Sequence, residues 1–112
     1  MQKVLTLVAL VTCVQGYGQK EVVSAYNANK EGDFATAAVY IEQAIENPKA
    51  NVKNKTWRYR GEIYLNISRD SALFAAYSDA LVRAKESYFK AQELDARGSY
   101  KSEIQVGLGQ VQ

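Results

Sequence analysis

The chain has no histidine, one cysteine and one proline among its 112 residues. Without histidine, neither a Ser-His-Asp arrangement nor a histidine metal ligand can be built. With Cys13 as the single cysteine, no internal disulfide can form. The scarcity of proline and glycine favours helices over a turn-rich all-β fold. We therefore predict an all-α protein that is not an enzyme and has no cofactor and no metal site.

Neither charge sign dominates the composition, and the formal net charge is +2. This value is too small to indicate a nucleic-acid partner. A hydrophobic content of 47% and a charged content of 23% are typical of one small globular domain. Four helical glutamates lie near Lys or Arg in the pattern of a solvated surface: Glu42, Glu46, Glu86 and Glu93.

The first nineteen residues have the three parts of a secretory signal peptide. Lys3 gives a positive charge, an uncharged apolar run covers residues 4–14, and small residues occur up to Gly18. The run is about eleven residues long, short of the ~20 that a spanning helix needs. We predict cleavage near residue 19, no membrane span afterwards, and export to the periplasm, outer membrane or exterior. A buried N-terminal helix is the alternative interpretation.

Cys13 raises the question of a lipid anchor. A lipoprotein signal has small residues immediately before the lipidated cysteine. Here Val11 and Thr12 precede Cys13, which favours an ordinary residue of the signal peptide over a lipid attachment site.

The segment after the signal peptide is predicted to form two helices joined by a tight turn. Residues 20–30 suit a first helix, and Gly32-Asp33 ends it and starts the next. Apolar residues then recur every three or four positions, at Phe34, Ala37, Ala38, Ile41, Ala44 and Ile45. The Asn47-Pro48 pair predicts the end of this second helix.

A second helix pair carries large and small residues at matching spacings. Trp57, Gly61 and Tyr64 are separated by four and three residues, and so are Ala84, Tyr88 and Ala91. We expect Gly61 to admit a neighbouring helix where Ala84 or Ala91 faces it.

The two helices of this pair are expected to join at a turn over residues 68–71. The apolar period predicts that the second is one helix from about Ser71 to Ala96, closed by Gly98. A flexible loop before residue 84 is the alternative.

The Trp57 and Ala84 segments resemble the tetratricopeptide repeat, whose pattern is Trp-x2-Leu-Gly-x2-Tyr followed by Ala-x3-Phe-x2-Ala. Arg60 stands where the family has Leu, and the gap between the segments is about eleven residues longer than in the pattern. The segment from Gly32 to Pro48 is similar to the turn and second helix of another repeat. A generic helical bundle is the alternative.

A fifth helix is expected after Ser99, which would cap it. This helix would carry Ile104, Leu108 and Val111 on one side and would begin a third helix pair. The resemblance implies a short solenoid over residues 20–112, with repeats at about 20–48 and 54–97 and a further helix at 99–112. It also suggests the N-terminal part of a longer exported bacterial protein. The repeat pattern assigns packing roles to Phe34, Ala37, Ile41, Ala44, Trp57, Gly61, Tyr64, Ala84, Tyr88 and Ala91.

Members of this family usually bind a partner segment on the concave face made by the first helices. Carried onto this chain, that face would hold Tyr26, Asn29, Lys30, Arg58, Tyr59, Glu62, Leu65 and Asn66. The resemblance therefore implies an exported scaffold that binds a protein or peptide. Part of a glycan-binding nutrient-uptake lipoprotein, or the helical N-terminal part of a longer enzyme, are the alternatives.

Overall fold

Six helices make up the part of the chain that the structure, a computed structural model, describes, residues 19–112. They are α1 over residues 19–30, α2 Phe34–Ile45, α3 Asn54–Ser68, α4 Ser71–Phe74, α5 Ala80–Leu94 and α6 Lys101–Gln110. These residues include no strand, so the prediction of an all-α fold is confirmed. Within the same range, no helix has both the length and the apolar character needed to cross a bilayer. Most of the predicted signal peptide, including Cys13, lies outside the described residues.

The turn between α1 and α2 has the chemistry expected from its sequence. Gly32 adopts a φ of +82°, a left-handed conformation that glycine tolerates without steric cost. Asp33 caps α2 because its Oδ1 accepts a hydrogen bond from the Thr36 amide at 3.3 Å. At the other end, α2 stops at Ile45, shortly before Pro48. The predicted turn and the predicted end of α2 are therefore confirmed.

Helix α3 is the central element, because it contacts α2, α4, α5 and α6. Its apolar residues Ile63, Tyr64 and Ile67 are fully buried. The Trp57 ring packs against this core, and its Nε1 donates a hydrogen bond to the Asn51 carbonyl at 2.8 Å. The ten residues assigned to packing by the repeat pattern all lie in the core or against it.

The prediction of one helix from Ser71 to Ala96 is wrong. Helix α4 ends at Phe74, and α5 begins only at Ala80. The additional residues form α4 and the connection after it, while α3 and α5 have 15 residues each. Phe74 and Leu81 are both 40% exposed, so the apolar period at these two positions does not mark a buried helical face.

The last helix differs from its prediction at the N-terminus. Lys101, rather than the residue after Ser99, is its first residue, and Tyr100 takes the cap position without a side-chain cap. The Tyr100 amide instead donates a hydrogen bond to Asp95 Oδ2 at 3.0 Å. On the predicted side of α6, Ile104 is buried, and Leu108 and Val111 pack partly against the core.

Candidate functional site

The eight residues predicted for a ligand face lie on α1 and α3. Two contacts join these helices, and a third lies within α1. The rings of Tyr26 and Tyr59 are 4.9 Å apart between centroids. Asn66 Nδ2 donates a hydrogen bond to Asn29 Oδ1 at 3.0 Å. Lys30 Nζ lies 5.3 Å from the centroid of the Tyr26 ring, within the range of a cation–π interaction. The two helices therefore present these side chains as one continuous surface.

An open groove of about 280 Å³ lies between α3 and α6. Four of the predicted residues line it: Arg58, Glu62, Leu65 and Asn66. The remaining lining residues are Arg69, Tyr88, Glu103, Val106, Gly107 and Gln110. The other four predicted residues do not line this groove, and they form the adjoining surface on α1 and α3.

Arg58 is more enclosed than a residue predicted to face a ligand, because it is only 8% exposed. Its Nη1 donates to Glu103 Oε2 at 2.6 Å, and its Nε donates to Asn54 Oδ1 at 3.0 Å. The guanidinium also lies 3.7 Å from the centroid of the Tyr100 ring. Arg58 thus ties α6 to α3 and forms a charged wall of the groove.

The other lining residues divide into a floor and a rim. Leu65 is 3% exposed and belongs to the core, so it offers an apolar floor. Glu62 and Arg69 are exposed, and Arg69 Nη2 donates to Gln110 Oε1 at 3.1 Å. On the adjoining surface, outside the groove, burial raises the pKa of Tyr59, so its hydroxyl stays neutral and able to donate a hydrogen bond at neutral pH. The groove therefore combines charges of both signs around a small apolar centre.

Sequence reasoning missed the contribution of α6 to this site. Tyr100, Glu103 and Gln110 contact arginines that lie about forty residues earlier in the chain. No local spacing rule connects positions so far apart. The one signal in the sequence is the opposite charge of Glu103, in the first turn of α6, and Arg58 on α3.

A second polar cluster joins α2, α3 and α5 on another side of the molecule. Glu42 Oε1 accepts hydrogen bonds from Arg60 Nε at 3.1 Å, from Arg60 Nη2 at 2.9 Å and from the Tyr64 hydroxyl at 2.6 Å. Arg60 Nη1 donates to Ser87 Oγ at 2.8 Å, and Arg83 Nη1 donates to the Tyr64 hydroxyl at 2.9 Å. The interpretation of Glu42 as solvated surface is wrong, because its carboxylate is the centre of this cluster.

The hydrogen bonds of this second cluster connect α2, α3 and α5. Burial and then the hydrogen bond to Glu42 raise the pKa of Tyr64 to about 12, so the phenol stays protonated and is a poor base or nucleophile at neutral pH. Arg60 forms an ion pair with Glu42 that joins α3 to α2.

Among residues 19–112, no group of three or more acidic side chains is placed to hold a metal ion. Comparison with known proteins identified no relative: no family model matches the chain, and no match was found among curated proteins or solved structures. The tetratricopeptide resemblance therefore remains a prediction from the sequence pattern.

Proposed function

We propose that this chain is a non-catalytic, tetratricopeptide-type scaffold that binds a protein or peptide segment on the surface of α1, α3 and α6. The observation that carries the proposal is the groove between α3 and α6, which four of the eight residues predicted for a ligand face line. An extended peptide fits an open groove that continues into a polar and aromatic surface.

The composition of this surface supports a role in recognition. Tyrosine and arginine are enriched among the residues that dominate binding energy at protein interfaces. Here Tyr26, Tyr59, Arg58 and Tyr100 follow one another across three helices through ring and cation–π contacts. The hydrogen bond between Asn29 and Asn66 fixes α1 against α3. A surface that is ordered before binding loses less conformational entropy when a partner binds.

A selection from a random-peptide phage library would test the proposal. Residues 19–112 would be immobilised as wild type, as Glu62→Arg in the groove, and as Glu86→Arg on the exposed side of α5. We expect enriched peptides to bind the wild type and Glu86→Arg equally and to lose most of their binding to Glu62→Arg. Far-UV circular dichroism would check that both variants remain folded. The proposal would be contradicted if no peptide were enriched, or if the enriched peptides bound Glu62→Arg as well as they bound the wild type.

A glycan ligand is a second candidate, favoured by the ring pair beside the amide pair. Tyr26 and Tyr59 offer partly exposed rings, and Asn29 and Asn66 offer amides close to them. Rings can stack on the apolar faces of sugars, and amides can hydrogen-bond hydroxyl groups. A glycan array probed with wild type and Tyr26→Leu separates the two candidates. Glycan binding that the leucine variant loses would favour the second candidate, and an unreactive array would leave the peptide proposal preferred.

Export is also part of the proposal, supported by the three-part pattern of residues 1–19. Intact mass and N-terminal sequencing of protein expressed with its full N-terminus in a Gram-negative host would test it. A chain that begins near residue 19 or 20 supports export. A lipid on Cys13 would support the nutrient-uptake lipoprotein interpretation, and a chain that retains residue 1 would contradict export.

A further inference from the structure

The outer face of α5 carries two exposed apolar side chains on one line. Val82 is 57% exposed and Phe89 is 47% exposed. They are seven residues apart, close to two helical turns, so both point away from the helix in nearly the same direction. The buried residues Ala84 and Ala91 lie about half a turn away, on the side of α5 that packs within the fold. Val82 and Phe89 therefore form an apolar stripe, called the α5 stripe below, that the rest of residues 19–112 leaves uncovered.

Opposite charges flank the middle of the α5 stripe. Consecutive residues of a helix are about 100° apart, so Lys85 lies on one side of the line from Val82 to Phe89 and Glu86 lies on the other. Both side chains are exposed, and neither forms an ion pair among residues 19–112. Lys85 Nζ lies 6.0 Å from the centroid of the Phe89 ring, beside the stripe. The exposed face thus combines an apolar line with one charge of each sign.

We propose that the α5 stripe binds the same stripe of a second copy of this chain, in an antiparallel pair of α5 helices. The twofold axis passes between Lys85 and Glu86, so residues at equal distances from it face one another. A half-turn about this axis exchanges the two sides of the stripe as well as its two ends. Val82 of each copy then meets Phe89 of the other, and Lys85 of each copy meets Glu86 of the other. The pair gains two apolar contacts and two ion pairs.

The charges of this face favour a second copy over another partner, and an antiparallel over a parallel pair. A partner of one charge sign would oppose either Lys85 or Glu86 with a like charge, whereas the same face turned around opposes neither. Glu93 follows Phe89 by four residues on nearly the same line, and its side chain is 71% exposed. A parallel pair would bring the Glu93 carboxylates of two copies together, and the antiparallel pair keeps them apart.

The paired surface leaves the proposed peptide-binding surface free. None of the residues that would meet across the α5 pair lines the groove between α3 and α6, so the dimer and the proposed function can fail independently. A single pair of helices is at the small end of protein interfaces, and we expect a weak dimer with a Kd of about 100 µM. Such a dimer is dissociated at the low micromolar concentrations used for unfolding measurements.

Sedimentation velocity of the full chain would test the proposal over concentrations from about 10 to 1,000 µM, a range that brackets this Kd. A reducing buffer prevents intermolecular disulfides through Cys13. We expect a shift from monomer to dimer, and Val82→Arg should raise the Kd at least about tenfold by placing a charge in the apolar contact. Val39→Arg on α2, where the valine is 53% exposed, is the matched control and should leave the Kd unchanged. A monomer at every concentration, or equal effects of the two substitutions, would overturn the proposal.

A charge exchange tests the predicted pairing directly. Lys85→Glu and Glu86→Lys each place like charges opposite one another, so each should raise the Kd about tenfold. When the two variants are mixed, each charge again meets its opposite, and the mixture should dimerise about as tightly as the wild type. Glu93→Gln should leave the Kd unchanged, and a tighter dimer would overturn the antiparallel arrangement. Single variants that dimerise like the wild type, or a mixture that stays monomeric, would overturn the proposal.

Discussion

Gly61 of α3 lies directly under the ring of Tyr88 of α5. A Cβ added to Gly61 would lie 2.7 Å from Tyr88 Cε2, closer than real side-chain contacts allow. The same ring also lies against Gly107 of α6. The Tyr88 side chain of α5 therefore packs directly on the backbones of α3 and α6, at glycines that have no side chain. The three atoms nearest to a Cβ at Gly61 all belong to the Tyr88 ring, which lies between Ala84 and Ala91 in the sequence.

Substituting Gly61 tests the closeness of this contact. Gly61→Leu should destabilise the fold by about 3 kcal/mol, because the new side chain must displace the Tyr88 ring or separate α3 from α5. The free energy of unfolding would be measured by urea denaturation. In a Tyr88→Ala background the same substitution should cost much less, since the space is then vacant. Equal costs in both backgrounds would show that the ring is not the obstacle.

Two glycines of α6 provide a matched pair for a second prediction. An added Cβ at Gly107 would collide with the Tyr88 ring, whereas one at Gly109 would meet nothing within 4 Å. Gly107→Ala should therefore destabilise the fold by about 1–2 kcal/mol, since overpacking outweighs the gain in helix propensity. Gly109→Ala should stabilise it by up to about 1 kcal/mol. Shifts of the same sign in the thermal midpoint would contradict the assignment of α6 to this contact.

The elements that could be predicted from the sequence are those with local signals. Gly32 and Asp33 carry the conformational and capping preferences of their turn, so the end of α1 and the start of α2 follow from neighbouring residues. The break between α4 and α5 depends on contacts across the fold. The Tyr77 ring, in the connection between α4 and α5, packs with its centroid 6.1 Å from that of the Tyr64 ring of α3. This contact favours a turn where the apolar period alone favours a continuous helix.

In the candidate site, too, the features with local signals could be predicted and those that depend on contacts between helices could not. Residues on α1 and α3 could be placed on a shared surface because helical spacing and the repeat pattern assign them a face. The burial of Arg58 could not be predicted, because Glu103 and Tyr100 approach it from α6. Glu42 was misassigned for a similar reason, since its partner Arg60 lies on the next helix. Spacing rules describe one helix at a time, whereas these charges are paired between helices.

The cluster around Glu42 leads to a third prediction. Glu42→Gln removes the carboxylate that accepts from Arg60 and Tyr64, and it leaves a guanidinium of 8% exposure without its counter-charge. Because the Glu42 side chain is itself 34% exposed, water can partly replace the lost contact. We expect a loss of about 1–3 kcal/mol in the free energy of unfolding, below that of a fully buried pair.

Glu86→Gln on α5 is the control for this substitution. Glu86 is exposed, so its replacement should change the free energy of unfolding by less than about 0.5 kcal/mol. Both variants would be compared with the wild type by urea denaturation at neutral pH. If Glu42→Gln and Glu86→Gln behave alike, the cluster makes no net contribution to stability.

A fourth prediction concerns stability at alkaline pH. Burial is the main cause that raises the pKa of Tyr64 and of Tyr88 to about 12, whereas an unfolded tyrosine titrates near 10. Between these two values the folded state retains protons that the unfolded state loses. The resulting stabilisation is fully present below about pH 10 and is lost as the pH rises to about 12.

Urea denaturation at a series of pH values would measure this decline, and absorbance of the tyrosinate ion would follow ionisation directly. Tyr88→Phe keeps the ring against Gly61 and removes the ionisable hydroxyl, so it should flatten the decline. Tyr64→Phe should flatten it further, although it also lowers stability at neutral pH by removing the hydrogen bond to Glu42. If the double variant loses stability between pH 10 and 12 as steeply as the wild type, other groups cause the alkaline transition.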